Sequence, residues 1–212
     1  MKSTTLFSLF LLCGFTSYLP SGTAYLVDTD GNLIENGGSY FITTGNGGGV
    51  EFAATGNETC PLSVVQNISP FSSGLPVKLS TLRFIPYIAE GLNLDIGFPF
   101  ISPCAPTPSW WEVVKGVKGG LSVKLSGYDN TVPGGFRIRS VRNDIVRGYN
   151  LLFCPEDTSC GYVGVDLDSK KNRSLVVTQD KKAAMSIQFQ RVNLSPATAT
   201  VWTTNAPKNS CV

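Results

Sequence analysis

The stretch Leu26–Ile42 reads LVDTDGNLIENGGSYFI, and it is typical of the whole chain. Its apolar residues come in runs of two or three, and turn residues separate the runs. The glycine of Asp30-Gly31 favours a tight reversal of the backbone, because glycine tolerates positive φ. The stretch therefore predicts short extended segments joined by turns.

The same pattern continues towards the end of the chain. Short apolar runs bounded by Gly, Asn, Asp and Pro recur as YLV, SYFI, VEFAA, LSVVQ, PVKLS, LNLDIGF, WWEVV, LSVKLS, FRIRSV, NLLFC, YVGVDL, SLVVT and SIQFQRV. Several alternate apolar and polar residues, as half-buried strands do. Only KKAAMSIQF resembles a helix, and its β-branched end argues against one. We predict an all-β barrel or sandwich.

Two similar heptads suggest internal repetition. GLPVKLS begins at Gly74 and GLSVKLS begins 46 residues later at Gly120. A period of that length fits a fold of three or four similar units, and chance similarity between two amphipathic strands is the alternative. No long linker or low-complexity block divides the chain, so we expect one domain over residues 25–212.

Residues 1–24 have the layout of a secretory signal peptide. Lys2 precedes an apolar run, Leu6–Phe15, and small residues lead up to Ala24. The run is too short to span a membrane, and no later run approaches the ~20 apolar residues of a membrane helix. We expect cleavage after Ala24 and a secreted protein, extracellular (apoplast) or vacuolar, without a membrane anchor.

Charge and composition narrow the classes of function. The formal net charge is only +2, so the chain has no strongly basic surface that would attract nucleic acid. Separately, we expect a monomer. The chain has no histidine, which excludes Ser-His and Cys-His pairs and histidine metal sites. Glu90 and Asp95 are a weak candidate carboxylate pair. Gly45–Gly49 resembles a phosphate loop but lacks the Gly-Lys-Ser/Thr ending. We expect no enzyme, no metal and no cofactor.

Five cysteines remain after removal of the leader. Cys154 and Cys160 are six residues apart and can close a short loop, whereas Cys60 and Cys104 would close a loop of 44 residues. Other pairings stay possible from the sequence alone. Cys211 lies next to the last residue and is either free or available for an intermolecular bond.

The opening stretch resembles the N-terminal signature of the Kunitz family of plant protease inhibitors, the soybean trypsin inhibitor type. The match includes the aliphatic-x-Asp start, the Asp-Gly turn and the Tyr-x-Ile end. Later segments resemble family segments in the same order: GNETCPLSVVQ, FIPYIAEG, PSWWEVV, NLLFCPEDTSCGYVGV and SIQFQRV. The resemblance implies a β-trefoil of twelve strands in three pseudo-repeats. It also implies the disulfides Cys60–Cys104 and Cys154–Cys160, and it offers no counterpart for Cys211.

The resemblance also implies a function on one exposed loop. In the family, this loop presents an extended peptide to a serine endopeptidase and acts as a very slow substrate. Counting from Cys60 and from Ile88 places the residue before the scissile bond, P1, at Phe84 and P1′ at Ile85. A phenylalanine favours chymotrypsin-like enzymes, with trypsin-like and subtilisin-like enzymes as further candidates. Asn36 matches the family asparagine that hydrogen-bonds the loop carbonyls.

Pro86 leaves the choice of P1 open. With Phe84 as P1, Pro86 is P2′, where a backbone N–H normally donates to the protease, and proline has none. With Arg83 as P1, Ile85 would supply that N–H. A further possibility is that Leu82, Phe84 and Ile85 are core residues of a family member that no longer inhibits.

Several alternative functions remain. A storage or taste-modifying relative would have no protease target, and some relatives block cysteine or aspartic proteases. A sugar-binding trefoil is less favoured, because the nearest equivalent of its Gln-x-Trp motif is Gln188-Phe189-Gln190. N-glycosylation sequons begin at Asn57, Asn67, Asn172 and Asn193, and Asn57 and Asn172 are the first candidates.

Overall fold

The protein is all-β. The computed structural model describes residues 24–45, 48–60, 62–99, 104–105, 108–116, 120–141, 148–156, 159–168 and 170–192. The strands are β1 (Ser39–Thr44), β2 (Val50–Ala53), β3 (Ser63–Gln66), β4 (Val77–Ser80), β5 (Asp95–Phe98), β6 (Ser109–Lys115), β7 (Leu121–Leu125), β8 (Gly134–Val141), β9 (Gly148–Pro155), β10 (Gly161–Leu167), β11 (Arg173–Thr178) and β12 (Ser186–Arg191). The prediction of twelve strands is confirmed.

The apolar runs from SYFI onward coincide with the observed strands. YLV is the exception: Tyr25 and Val27 make isolated bridges to Ala89 and Leu33 rather than a continuous ladder. KKAAMSIQF contains one 3-10 turn, Lys181–Ala183, and then runs into β12. Within the described ranges, no helix has the length and apolar character that a membrane crossing requires.

All strand pairs are antiparallel, and the sheet closes on itself. A ring of ten strands runs in the order β10-β11-β3-β7-β6-β5-β4-β1-β12-β9 and returns to β10. Outside this ring, β2 pairs with β3 and β8 pairs with β9. Closure leaves few free edges, which suits a chain of many short strands.

The two similar heptads occupy different places in this sheet. The first contains β4, which pairs with β1 and β5. The second contains β7, which pairs with β6, β3 and β11. Their likeness therefore does not mark equivalent positions of a repeat; both are amphipathic strands with an alternating pattern.

Contacting aromatic rings run through the core. Neighbouring ring centroids are 5.2 Å apart for Phe52 and Phe98, 5.7 Å for Phe98 and Trp111, 6.1 Å for Trp111 and Phe136, and 5.4 Å for Phe136 and Phe153. These rings come from β2, β5, β6, β8 and β9. The core is therefore built from residues that are far apart in the chain.

Both predicted disulfides form. Cys60 joins Cys104, and Cys154 joins Cys160 across the turn between β9 and β10. The larger disulfide encloses the segment between β4 and β5. Cys211, Asn193 and residues 1–23 lie outside the described residues.

A polar cluster lies near Cys60, and Glu58 is at its centre. The Glu58 carboxylate contacts Lys124 Nζ at 2.5 Å, Ser63 Oγ at 2.7 Å and Tyr128 Oη at 2.8 Å. Burial alone would raise the pKa of Glu58, but hydrogen bonds from Lys124, the Thr55 amide, Ser63 and Tyr128 together lower it. Desolvation, with the hydrogen bond to Glu58, raises the pKa of Tyr128 to about 12. The cluster therefore favours an ionised Glu58.

Candidate functional site

The segment 81–87 between β4 and β5 projects from the sheet. The Leu82 side chain is 91 % exposed and the Phe84 side chain is fully exposed, while Ile85 is half-buried. The interpretation of Leu82 and Phe84 as core residues is therefore wrong. We refer to residues 81–87 as the presented loop.

Asn36 lies beneath the presented loop and holds it. Its Nδ2 donates to the carbonyl oxygens of Arg83 and Ile85, each at 3.1 Å, and to that of Thr81 at 3.4 Å. Its Oδ1 accepts a hydrogen bond of 2.9 Å from the Thr81 amide. One amide side chain thus contacts the backbone on both sides of Phe84.

The carbonyl groups of the presented loop differ in their partners. The Arg83 carbonyl has two internal donors, since it accepts a hydrogen bond of 2.8 Å from the Ile85 amide as well as the one from Asn36. No hydrogen bond to the Phe84 carbonyl is found among the described residues. The Phe84 carbonyl is therefore available to a partner, whereas the Arg83 and Ile85 carbonyls on either side of it are hydrogen-bonded within the protein.

Residues after Phe84 are tied to the N-terminal segment. The Pro86 carbonyl accepts a hydrogen bond of 2.9 Å from the Asn36 amide. The backbone of Tyr87 forms an isolated antiparallel β-bridge with that of Glu35, and the Tyr87 ring makes an edge contact with the Tyr25 ring at 6.4 Å between centroids. Docking of the first described residues therefore fixes the far end of the presented loop.

The turn after Asn36 explains how its side chain reaches the loop. Gly37 has φ of +83°, a conformation that L side chains rarely adopt. Its amide donates to the Leu79 carbonyl at 2.7 Å, which holds the turn against β4 just before the loop. Gly37 of the Asn-Gly pair thus makes the turn against β4, and Asn36 of the same pair holds the presented loop.

A cleft lies beside the presented loop and was not predicted. Its walls are residues 81–83 of the loop, residues 91–95 leading into β5, and residues of the start of β8 that include Gly135 and Arg137. Arg137 Nε donates to Asn93 Oδ1 at 2.7 Å across the cleft. No local sequence pattern predicts the contact between Arg137 and Asn93, because the two residues are 44 apart in the chain.

The weak enzyme-like features do not assemble into a site. Glu90 hydrogen-bonds the Ser140 hydroxyl, whereas Asp95 lines the cleft, where burial raises its pKa. In the Gly45–Gly49 segment, the amides of Gly48 and Gly49 donate to backbone carbonyls at 3.1 and 2.7 Å, so these two amides are not free to hold phosphate, and Asn46 and Gly47 lie outside the described residues. Among the described residues, no group of three His, Cys, Asp or Glu side chains could hold a metal ion.

The remaining candidate positions differ in exposure and bonding. Asn57 is exposed at a turn. Asn67 Nδ2 donates to Glu51 at 2.9 Å, and Asn172 Nδ2 donates to Asp168 at 2.7 Å. Phe189 of the Gln-Phe-Gln sequence is buried, so it presents no stacking surface for a sugar.

Comparison with known proteins identifies relatives of this chain. Residues 26–191 match the sequence profile of the legume Kunitz family, described as trypsin and protease inhibitors. Trypsin inhibitor A of Glycine max is 40 % identical over 204 residues, which cover 91 % of this chain and 93 % of the relative. A chymotrypsin inhibitor of Erythrina variegata is 40 % identical over 167 residues, which cover 73 % of this chain and 90 % of the relative.

A solved structure agrees with these sequence matches. Soybean trypsin inhibitor in complex with porcine pancreatic trypsin superposes with a TM-score of 0.73 and 34 % identity, and the match covers 80 % of this chain and 99 % of the inhibitor. The relatives are named as inhibitors, which confirms the expectation that the protein is not an enzyme. The resemblance in the opening stretch is also confirmed: the chain belongs to the Kunitz family of trypsin and protease inhibitors.

Proposed function

We propose that the protein inhibits serine endopeptidases through the presented loop, with Phe84 as P1 and Ile85 as P1′. The observation that carries this proposal is a fully exposed phenylalanine between two carbonyls held by Asn36. A loop already ordered in one conformation loses little entropy on docking, so its contacts are expressed as affinity. The named trypsin and chymotrypsin inhibitors among the relatives support the class of target.

Phe84 is a better P1 candidate than Arg83. The P1 carbonyl of a substrate-like inhibitor enters the oxyanion hole of the protease and must be free to do so. The Arg83 carbonyl already accepts hydrogen bonds from Asn36 and from the Ile85 amide. The same contact occupies the Ile85 N–H that would act as the P2′ donor if Arg83 were P1. Phe84 in turn favours chymotrypsin-like targets, with trypsin-like targets second.

Pro86 at P2′ reduces the number of contacts with the protease. It has no N–H, and its carbonyl is bonded to the Asn36 amide. Loss of one interfacial hydrogen bond costs about 1 kcal/mol, or about fivefold in affinity. The proposed inhibitor therefore relies on the P1 side chain and on loop rigidity more than on pairing of the primed residues.

We also propose that the twelve strands are three repeats of one four-strand unit, the β-trefoil, in a single domain. Support comes from the pairings. The outer strands of the units form the cyclic order β1-β4-β5-β8-β9-β12, in which Leu94, directly before β5, makes an isolated bridge to Phe136 of β8. The inner hairpins β2-β3, β6-β7 and β10-β11 meet pairwise through β3, β7 and β11.

We propose further that residues 1–24 are removed as a secretory leader and that the protein acts outside the cytosol, in the extracellular space or a vacuole. The apolar run behind Lys2 supports this proposal, and the two disulfides fit an oxidising compartment. N-terminal sequencing of the secreted protein would test the cleavage site.

Inhibition assays with loop variants test the function. We expect the secreted protein to inhibit chymotrypsin more strongly than trypsin, elastase or subtilisin. Phe84→Ala should weaken chymotrypsin inhibition about 100-fold or more, because it empties the specificity pocket. Phe84→Arg should convert the protein to a trypsin inhibitor, since the trypsin pocket contains a carboxylate.

Arg83→Ala separates the two P1 candidates, because it changes the neighbouring exposed residue. It should weaken chymotrypsin inhibition far less than Phe84→Ala, because the specificity pocket stays filled. A large loss with Arg83→Ala and none with Phe84→Ala would move P1 to Arg83. Absence of inhibition of all four enzymes would favour a storage or taste-modifying role, or cysteine and aspartic proteases as targets.

A further inference from the structure

The cleft beside the presented loop has more positive than negative side chains. Of the described residues that line it, Arg83 and Arg137 are cationic and only Asp95 carries a carboxylate. Burial raises the pKa of Asp95, so its negative charge is held less firmly than that of an exposed aspartate. Because residues 81–83 form one wall, the cleft and Phe84 belong to the same face of the molecule. We name it the cationic cleft.

The two arginines have no counter-ion within the described part of the chain. The ion pairs found there involve Lys124 and Arg191. Arg83 is exposed, and Arg137 is half-buried. A guanidinium with unused N–H groups is suited to a carboxylate, which it can bind with two parallel hydrogen bonds.

Arg137 is held in place before any partner arrives. Its Nε donates to Asn93 Oδ1 at 2.7 Å, which leaves the two terminal nitrogens for another group. Gly135 protects this arrangement: a Cβ there would lie 3.1 Å from Asn93 Cγ and would press on the residue that orients Arg137. A fixed guanidinium loses less side-chain entropy on binding than a free one.

We propose that the cationic cleft binds a carboxylate-bearing surface segment of the protease docked on Phe84. It would thereby favour targets that are acidic beside the pockets for P2 and P3. This inference rests on the proposed function, because it places the protease on the presented loop. Complementary charge at the edge of an interface acts mainly on the rate of association, and salt weakens it.

Association kinetics of charge-reversal variants test the proposal. The probe is whichever of chymotrypsin, elastase and subtilisin the secreted protein inhibits most strongly. Arg137→Glu should lower the association rate constant about three- to tenfold at low ionic strength, and the difference should shrink at high salt. Arg139→Glu is the matched control. It makes the same change of net charge on the same strand, at an exposed residue that does not line the cleft.

Arg137→Lys should give an intermediate rate, because it keeps the charge but lacks the planar guanidinium. Equal slowing by Arg137→Glu and Arg139→Glu would reduce the effect to net charge and overturn the cleft proposal alone. No slowing by either variant would do the same. If the unmodified protein inhibits none of the proteases, the proposed function fails and the cleft proposal fails with it.

Discussion

At the scale of single residues, Asn36 contributes most to the presented loop. It binds three loop carbonyls and one loop amide, and its primary amide supplies two N–H donors and a carbonyl acceptor at one side-chain end. Its backbone amide adds a fourth carbonyl, that of Pro86. The loop conformation therefore depends on one side chain that comes from a different segment.

Asn36→Ala should leave the fold intact and weaken inhibition. The loss of several neutral hydrogen bonds is expected to cost about 2 kcal/mol of binding free energy, or roughly 30-fold in the inhibition constant. It should also speed cleavage of the Phe84–Ile85 bond, because the loop is no longer held. Inhibition constants and mass spectrometry of the incubated mixture measure both effects.

Asn130→Ala provides the control for this prediction. It removes another asparagine hydrogen bond to a backbone carbonyl, that of Lys115 at 2.7 Å, at a residue that contacts none of the presented loop. If both variants inhibit equally well, the loop does not depend on Asn36.

At the scale of elements, the Glu58 cluster joins the segment after β2 to β3 and β7. Glu58 comes from that segment, Ser63 from β3 and Lys124 from β7. The Glu58 and Lys124 side chains are each 16 % exposed, so water screens the pair only partly. The cluster therefore stabilises the contact of two strands that share only the register pair Ser63–Lys124.

Glu58 should make the stability of the fold depend on pH. Hydrogen bonding holds its pKa in the folded state below the value of 4.5 that it has in an unfolded chain. Its contribution is therefore complete above pH 4.5 and is lost as the pH falls through the folded-state pKa. Glu58→Gln should lower the free energy of unfolding by about 2 kcal/mol at pH 7, and by less at pH 3.

Urea unfolding at both pH values measures this difference, and Glu156→Gln, at an exposed residue, is the control. A Glu58→Gln effect that stays constant between pH 7 and pH 3 would contradict the role of its charge.

At the scale of the whole molecule, the two disulfides should differ in their effect on stability. The larger one spans 44 residues and the smaller one six. Chain entropy predicts about 4 kcal/mol for the larger loop and about 2 kcal/mol for the smaller one. Paired cysteine-to-serine variants, unfolded in urea, would measure both values. The opposite order of destabilisation would contradict the chain-entropy argument.

Much of the fold could be predicted from the sequence, because many of the strands bury one face and so alternate apolar and polar residues. β1 and β12 show this directly. The prediction of a strand at YLV was wrong, because a run of three residues can form isolated bridges without a continuous ladder. The similar sequences of β4 and β7 suggested a repeat of 46 residues, but the two strands are not equivalent, because similar amphipathic strands arise independently of their place in the sheet.

The candidate site was predictable only in part. The family resemblance, counted from Cys60 and from Ile88, predicted Phe84 as P1 without any structure, and the structure shows that its side chain is exposed. The choice of P1 between Phe84 and Arg83 depends on which backbone carbonyl is free. The Arg83 carbonyl is held by Asn36, which lies 47 residues away in the chain. The contact of Arg137 with Asn93 arises only when the sheet brings β8 beside the segment before β5.

The docked start of the described chain matters for recombinant work. The carbonyl of Ala24, the position that a leftover residue would occupy after removal of the leader, accepts a hydrogen bond from the Glu90 amide, and the Tyr25 ring lies against Tyr87 at the end of the presented loop. A purification tag or leftover residues before Tyr25 would therefore lie close to the surface where a protease is proposed to dock. An inhibition constant measured on such a preparation would report on those added residues as well as on Phe84.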